Sequence, residues 1–272
     1  MSKAKRNERI GAIVRILSQY PNKLFTFSHF CNMFGSAKST ISEDIVIARD
    51  MLRKYGLGDI RAITGAAGGV CFVPTEKKED SIAFVHSLCE KLSDGNRVLP
   101  GGFIYTIDIL TRPDYLERIG NILASFFMNQ EVDVVATVET KGIPVALMVA
   151  RSLGVPLVIM RQDNKLTEGS VVTINYVSGS NDRIKTMSLS TRAVRKGQKA
   201  IIIDDFMKGG GTARAIMDML EEFEVEVLGI GVLIATAEPE RKKVSDYISL
   251  MELKKVDKEW GKIEIVRSKS MI

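Results

Sequence analysis

Two adjacent carboxylates, Asp204 and Asp205, stand directly after the β-branched run Ile201-Ile202-Ile203 and directly before Phe206, Met207, Lys208, three glycines (Gly209, Gly210, Gly211) and Thr212. An unbroken apolar run of this kind suits a strand covered on both faces. Helical spacing resumes at Ala213, with Ile216, Met219, Leu220 and Phe223 on one face, which makes Thr212 the expected helix entry. A glycine loop between strand and helix can turn backbone N–H groups toward an anion, and the helix dipole adds to the attraction. The two acids would repel a phosphate but accept hydrogen bonds from sugar hydroxyls. A ligand carrying both groups, a ribose phosphate, answers the whole stretch. The competing reading is a tight strand-to-helix turn with incidental acids. Neither the Gly-x-Gly-x-x-Gly fingerprint nor a Gly-Lys-Ser/Thr ending is present.

Such a loop needs a sheet to hold it. Residues 132–138 are strand-like and close with Glu139-Thr140-Lys141-Gly142-Ile143-Pro144. Ala146, Leu147, Ala150 and Leu153 then mark a helix, and residues 155–160 the next strand. After a long excursion come residues 201–203, the helix already described, and residues 225–235. This alternation predicts an α/β domain with a central, mostly parallel sheet, whose ligands gather at the strand carboxyl ends. Both 139–144 and 204–212 fall at that edge. Upstream, residues 82–92 read as a helix, residues 103–105 as a strand after a turn, and Leu116, Ile119, Leu123, Phe126 and Phe127 as a helix with Pro113 near its first turn.

The chain ahead of residue 75 reads differently. Ile10, Ile13, Val14 and Leu17 make an apolar helical face, ended by Pro21 and preceded by Lys3, Lys5, Arg6 and Arg9. Phe27, Phe30, Cys31 and Phe34 predict a short second helix stopping at Gly35. Thr40-x-x-Glu43 reads as a capping box for a third, with Ile41, Ile45, Ala48, Leu52 and Tyr55 on one face. Two β-prone pieces, 60–63 and 70–73, flank Gly65-Ala66-Ala67-Gly68-Gly69 and predict a hairpin. Three helices and a hairpin make a winged helix-turn-helix. Its third helix would offer Lys38, Ser39, Thr40 and Ser42 to DNA, while Lys3, Lys5, Arg6, Arg9 and Arg61 would reach backbone phosphates. A helical protein-interaction module with ordinary surface charge is the alternative.

Charge supports the division. Of the 38 Lys and Arg and 33 acids in the 272 residues, 11 basic and 5 acidic residues lie within the first 74, a net of +6, leaving 27 against 28 behind them. A basic module joined to a near-neutral one suits nucleic-acid contact at one end. No apolar run approaches the roughly 18 residues of a membrane span, and the basic N-terminus lacks the apolar stretch of a signal peptide, so the expected compartment is the cytoplasm, with no membrane partner. Cys31, Cys71 and Cys89 are widely spaced and lack His partners at ligand spacing, so neither disulfides nor a metal site is expected. His29 and His86 lie outside the motifs and read as packed or partly exposed residues.

The order from Asp204 to Thr212 resembles the phosphoribosyl pyrophosphate (PRPP) motif of type I phosphoribosyltransferases. The resemblance implies that the acid pair holds the ribose hydroxyls and that the loop through Thr212 holds the 5′-phosphate. Thr140-Lys141-Gly142 falls where that family places its pyrophosphate-binding loop, which implies that Lys141 meets pyrophosphate. Residues 161–169 resemble the stretch that opens the catalytic loop of adenine phosphoribosyltransferases, adding Arg161 and Lys165, although Thr167-Glu168 interrupts the pattern. Read without the family, these two cations are as readily solvated surface charges.

With the basic winged helix and the segment Asn175-Tyr176-Val177-Ser178-Gly179-Ser180, essentially the whole chain resembles the purine operon repressors of Gram-positive bacteria. That resemblance implies a DNA-binding domain over residues 1–74 and a PRPP-binding effector domain over residues 75–272. It further implies a homodimer on double-stranded DNA of purine gene control regions, with PRPP lowering DNA affinity. No cofactor is expected, Mg²⁺ arriving on the ligand. No catalytic residue and no transferase activity are implied, and Lys208 and Gly209 stand where the enzymes carry two hydroxyl residues. The alternative from another class is an active purine phosphoribosyltransferase with a nucleic-acid-binding appendage, which needs a base pocket that the sequence does not identify.

Overall fold

The computed structural model describes residues 4–65, 68–100, 103–162, 169–177, 184–257 and 261–271; Lys3, Lys165, Thr167-Glu168, Ser178-Gly179-Ser180 and the Ala66-Ala67 hairpin tip lie outside the described residues. The chain forms two compact units, one from the residues through Lys77 with Arg151–Gly154, the other from Lys78–Ala150 and Val155–Ile272.

In the first unit, α1 (Arg6–Gln19), α2 (Phe27–Phe34) and α3 (Lys38–Tyr55) precede β1 (Asp59–Ile63) and β2 (Gly69–Val73), which pair antiparallel with Ile60 opposite Phe72. The expected apolar faces meet: Ile13, Leu17, Phe30, Ile41, Ile45, Ala48, Leu52, Ile60, Val70 and Phe72 form one core. Each large side chain of this kind contributes about 1.5–3 kcal/mol on burial. The α2 entry is capped by Thr26, whose hydroxyl accepts from the His29 N–H at 3.3 Å, and its exit is the left-handed Gly35. The capping box expected at Thr40 is not formed. Extended backbone at Ala37 starts α3 earlier, and the Ala37 carbonyl already accepts from the Ile41 N–H, so Thr40 lies inside the first turn.

The second unit opens with α4 (Lys78–Leu92), a small antiparallel ribbon of β3 (Val98–Leu99) and β4 (Phe103–Ile104), α5 (Ile107–Leu110) and α6 (Pro113–Ser125). Then follow β5 (Val134–Val138), α7 (Gly142–Leu153), β6 (Leu157–Met160), β7 (Val171–Val177), β8 (Ile184–Ser190), β9 (Lys199–Met207), α8 (Gly211–Glu222), β10 (Glu226–Thr236), β11 (Tyr247–Asp257) and β12 (Lys262–Arg267). Among the described residues a six-stranded sheet runs in the order β12-β11-β10-β9-β5-β6, parallel except for β11 with β12. The long excursion is the β7–β8 antiparallel ribbon. The two strands after β10 are not read in the sequence.

Strand β9 differs from expectation in length. It runs on through both acids to Met207, because β10 keeps pairing with it as far as Ile234 opposite Phe206 and Ala235 opposite Met207. On its other side β5 pairs only from Ala200 to Ile202. Past Ile202, β9 is therefore covered on one edge alone, and a crevice opens where the strand order reverses.

Candidate functional site

The loop is shorter than the sequence suggests: β9 runs to Met207 and α8 starts two residues before Ala213. Gly210 adopts the left-handed conformation (φ 75°) that only glycine takes at no steric cost, and α8 starts at Gly211. Thr212, expected at the helix entry, is already inside α8. Its side chain instead hydrogen-bonds the Tyr176 hydroxyl of β7, and Tyr176 is buried in the core under the sheet.

A cavity of about 960 Å³ sits above this strand-loop-helix junction. Asp204, Asp205, Phe206, Met207, Lys208, Gly209, Gly210, Gly211 and Thr212 all line it, together with Lys141 from the neighbouring loop. Leu99, Pro100, Phe103, Ile104 and Thr106 form an apolar wall, and Lys185 of β8 and Lys254 and Lys255 of β11 add cations. Sequence reasoning missed both groups, since they come from a two-residue ribbon, the excursion and an unassigned strand. Thr140 and Gly142 flank Lys141 without lining the cavity.

Gly142 has a steric reason. A Cβ there would stand 2.6 Å from the Asp204 Oδ1 and 2.7 Å from the Thr137 Oγ1, so only glycine lets α7 start this close to the acid. The Asp204 Oδ1 also accepts the Asp205 backbone N–H at 2.9 Å. Loss of water, then the neighbouring Asp205 charge, pushes the Asp204 carboxyl well above the ordinary carboxylate value. Desolvation raises Asp205 as well, while Asp204, the Lys141 charge and backbone N–H groups pull it the other way. Two acids side by side in one strand thus hold a proton more tightly than free carboxylates do.

Arg161 is placed differently from the expectation. Its backbone bridges β6 to Ser188 of β8, its Nη1 lies 3.2 Å from the Glu139 Oε2, and it does not line the cavity. Glu139 also accepts the Gln162 N–H at 2.8 Å, so the Arg161 head group is tied into a loop-to-strand joint.

In the first unit Lys5, Arg61, Lys38, Ser39 and Ser42 are exposed and Thr40 is half-buried. Lys38 Nζ rests 5.6 Å from the centre of the Phe27 ring. Arg9 corrects the sequence reading: it is buried, its Nε donates to the Asp44 Oδ2 at 2.6 Å and its Nη1 to the Ala4 carbonyl at 2.7 Å. A guanidinium held this way is not presented to a DNA phosphate. Arg6 is exposed but already shares Glu43 (2.7 Å) and Asp44 (3.2 Å). The sequence held only half of the signal, Asp44 on the buried side of the predicted third helix; its partner lies 35 residues away on another helix.

Two family models match the chain. The family described as "Bacterial purine repressor, N-terminal" matches residues 5–74, and "Phosphoribosyl transferase domain" matches residues 107–264. The chain is 43% identical to the purine biosynthesis transcriptional repressor of Bacillus subtilis, over 97% of this chain and 92% of that protein. It is 39% identical to the purine biosynthesis transcriptional activator of Lactococcus lactis, over 93% of each. A xanthine phosphoribosyltransferase of Lactococcus lactis is 30% identical over 54% of this chain and 77% of that enzyme. Among solved structures, adenine phosphoribosyltransferase from Rhodothermus marinus superposes with a TM-score of 0.54 at 21% identity, covering 63% of this chain and 99% of that one, a likeness of fold.

Proposed function

Because the chain belongs to the bacterial purine repressor family, a family of DNA-binding regulators of purine biosynthesis genes, we propose that it represses those genes and that PRPP, bound in the cavity of the second unit, releases it from DNA. The observation that carries the ligand half of this reading is the junction of β9 and α8. One cavity contains two carboxylates able to accept a diol, a glycine loop leading into a helix N-terminus able to receive a phosphate, and Lys141 beside them. The ribose hydroxyls donate to Asp204 and Asp205, the 5′-phosphate accepts from the amides of residues 208–212, and the diphosphate lies toward Lys141. Mg²⁺ comes in on the diphosphate, where it neutralises charge, and needs one or two carboxylates rather than a protein cage.

The protein works in the cytoplasm as a homodimer, the symmetry with which helix-turn-helix proteins meet paired half-sites. It carries out no phosphoribosyl transfer. Lys208 and Gly209 supply a charge and an amide but no hydroxyl donor to the phosphate, which suits binding without turnover. The test is a titration of purine-gene control DNA at zero and saturating PRPP with Mg²⁺ present. The expected result is a 5- to 150-fold loss of DNA affinity, roughly 1–3 kcal/mol of coupling, with the same factor lost from PRPP affinity when DNA is bound. Equal DNA affinity in both titrations, together with pyrophosphate release from PRPP and a purine base, would establish the transferase instead. DNA affinity that rises with PRPP would overturn release from DNA as the mode of response.

A further inference from the structure

Behind the phosphate loop, three backbone carbonyls converge on one side chain. Lys242 Nζ donates to the carbonyls of Lys208 (2.7 Å), Thr236 (2.8 Å) and Pro239 (3.1 Å). Three acceptors use all three N–H bonds of an ammonium, which a neutral amine does not have. The brace continues through the next residue, whose backbone N–H donates to the Gly209 carbonyl at 2.9 Å. The two stretches of backbone touch: a Cβ on Gly210 would stand 3.3 Å from the Lys243 nitrogen.

The direction of these bonds decides what the loop presents. In a planar trans peptide the C=O and N–H point to opposite sides. The carbonyls of Lys208 and Gly209 face Lys242 and Lys243, so the N–H groups on the far side of the same two peptide planes, those of Gly209 and Gly210, face the other way. Lys208–Gly211 line the cavity whereas Lys242 and Lys243 do not. We propose that Lys242 is a positioning residue for the loop, holding its carbonyls outward so that the amides of Gly209 and Gly210 converge on a phosphomonoester in the cavity. Its positive charge serves the site from behind, by orienting dipoles rather than by touching the ligand. This rests on the ribose phosphate reading above, and it selects for the phosphate end of the ligand, not its diphosphate end.

The test uses the full chain and two separate probes, ribose 5-phosphate and pyrophosphate, with affinities from calorimetry. Lys242→Met keeps the aliphatic stem and removes all three donors. Its expected effect is a loss of about tenfold or more in ribose 5-phosphate affinity, with pyrophosphate affinity unchanged. Equal losses for both probes, or none for either, overturn the assignment. A second measurement needs no variant: in the wild-type protein, hydrogen exchange at the Gly209 and Gly210 amides should slow when ribose 5-phosphate is added. Binding of ribose 5-phosphate without protection of those amides also overturns the role of Lys242 while leaving the ligand reading standing. A wild-type protein that binds neither ribose 5-phosphate nor PRPP overturns both.

Discussion

In the first unit the carboxylate of Asp44 is out of water with Arg9 at 2.6 Å and Arg6 at 3.2 Å; in the second, Asp204 is half-buried on the cavity wall with another acid beside it. Both acids sit on regular elements, one on a helix packed into a core and one on a strand paired along one edge. Their electrostatics are opposite. Around Asp44 the charge is balanced within the fold, so the group serves to fix α1 against α3, the element that carries Lys38, Ser39 and Ser42. Around Asp204 and Asp205 the fold leaves like charges together and tolerates raised pKa values, a cost that a ligand offering hydroxyl donors can recover. A buried acid with an internal counter-ion marks scaffold here, and a half-buried acid beside a like charge on a cavity wall marks the candidate site.

The strongest way to break the comparison is Asp44→Ala. Removing one partner leaves the Arg9 guanidinium buried and unpaired, a loss of about 3–5 kcal/mol. Chemical denaturation should show the first unit unfolding early and DNA binding gone with it. A variant as stable as the wild type would mean that Arg9 finds water, and that the pairing is incidental.

Next in size is the double change Asp204→Asn with Asp205→Asn. Each charged hydrogen bond to a ribose hydroxyl contributes about 1.5–3 kcal/mol, so PRPP affinity should fall about a hundredfold or more in calorimetry while DNA binding without PRPP persists. Unchanged PRPP affinity in the folded double variant would put the ligand elsewhere.

The single change Asp204→Asn sharpens the contrast through pH. A carboxyl whose folded pKa is raised favours the fold fully below its unfolded value, and that contribution is lost as pH rises through the folded value. The wild-type second unit should therefore lose stability from the ordinary carboxylate range upward to the raised pKa, and Asp204→Asn should flatten that decline and gain about 1 kcal/mol at neutral pH. Asp108, held below the ordinary value by Arg97, works with the opposite sign, its contribution disappearing as pH falls. Melting temperatures across a pH series separate the two; a variant that melts in parallel with the wild type would remove the strain assigned to Asp204.

Smallest is Lys38→Ala, which should reduce the log-log salt slope of DNA binding by roughly one while leaving stability unchanged. A slope identical to that of the wild type would take Lys38 off the DNA.

Much of this was legible in the chain. Periodicity found the three helices and hairpin of the first unit and the strand-helix alternation of the second, because both patterns record which face is buried. Asp204 to Thr212 was legible because a buried strand, acids and glycines are contiguous. What stayed hidden depends on long-range pairing. The fate of Arg9 was decided by Asp44 on another helix, and the Thr40 capping box lost to an earlier start that Ala37 permits. The cavity wall of Leu99, Phe103 and Ile104 comes from a ribbon too short to have a period. Lys242 carries no local signal, since its partners are carbonyls that every residue has.

The strand order also sets a sequence of events in time. As the chain leaves the ribosome, the first core closes from residues between Ile13 and Phe72, all near one another along the chain. The crevice of the second unit needs β9 between β5 and β10, and its loop is braced only once Lys242 has emerged. Short-range contacts form before long-range ones. A growing chain therefore closes the core of its DNA-binding unit before the crevice proposed to hold PRPP has formed, so for a time during synthesis the first is present without the second.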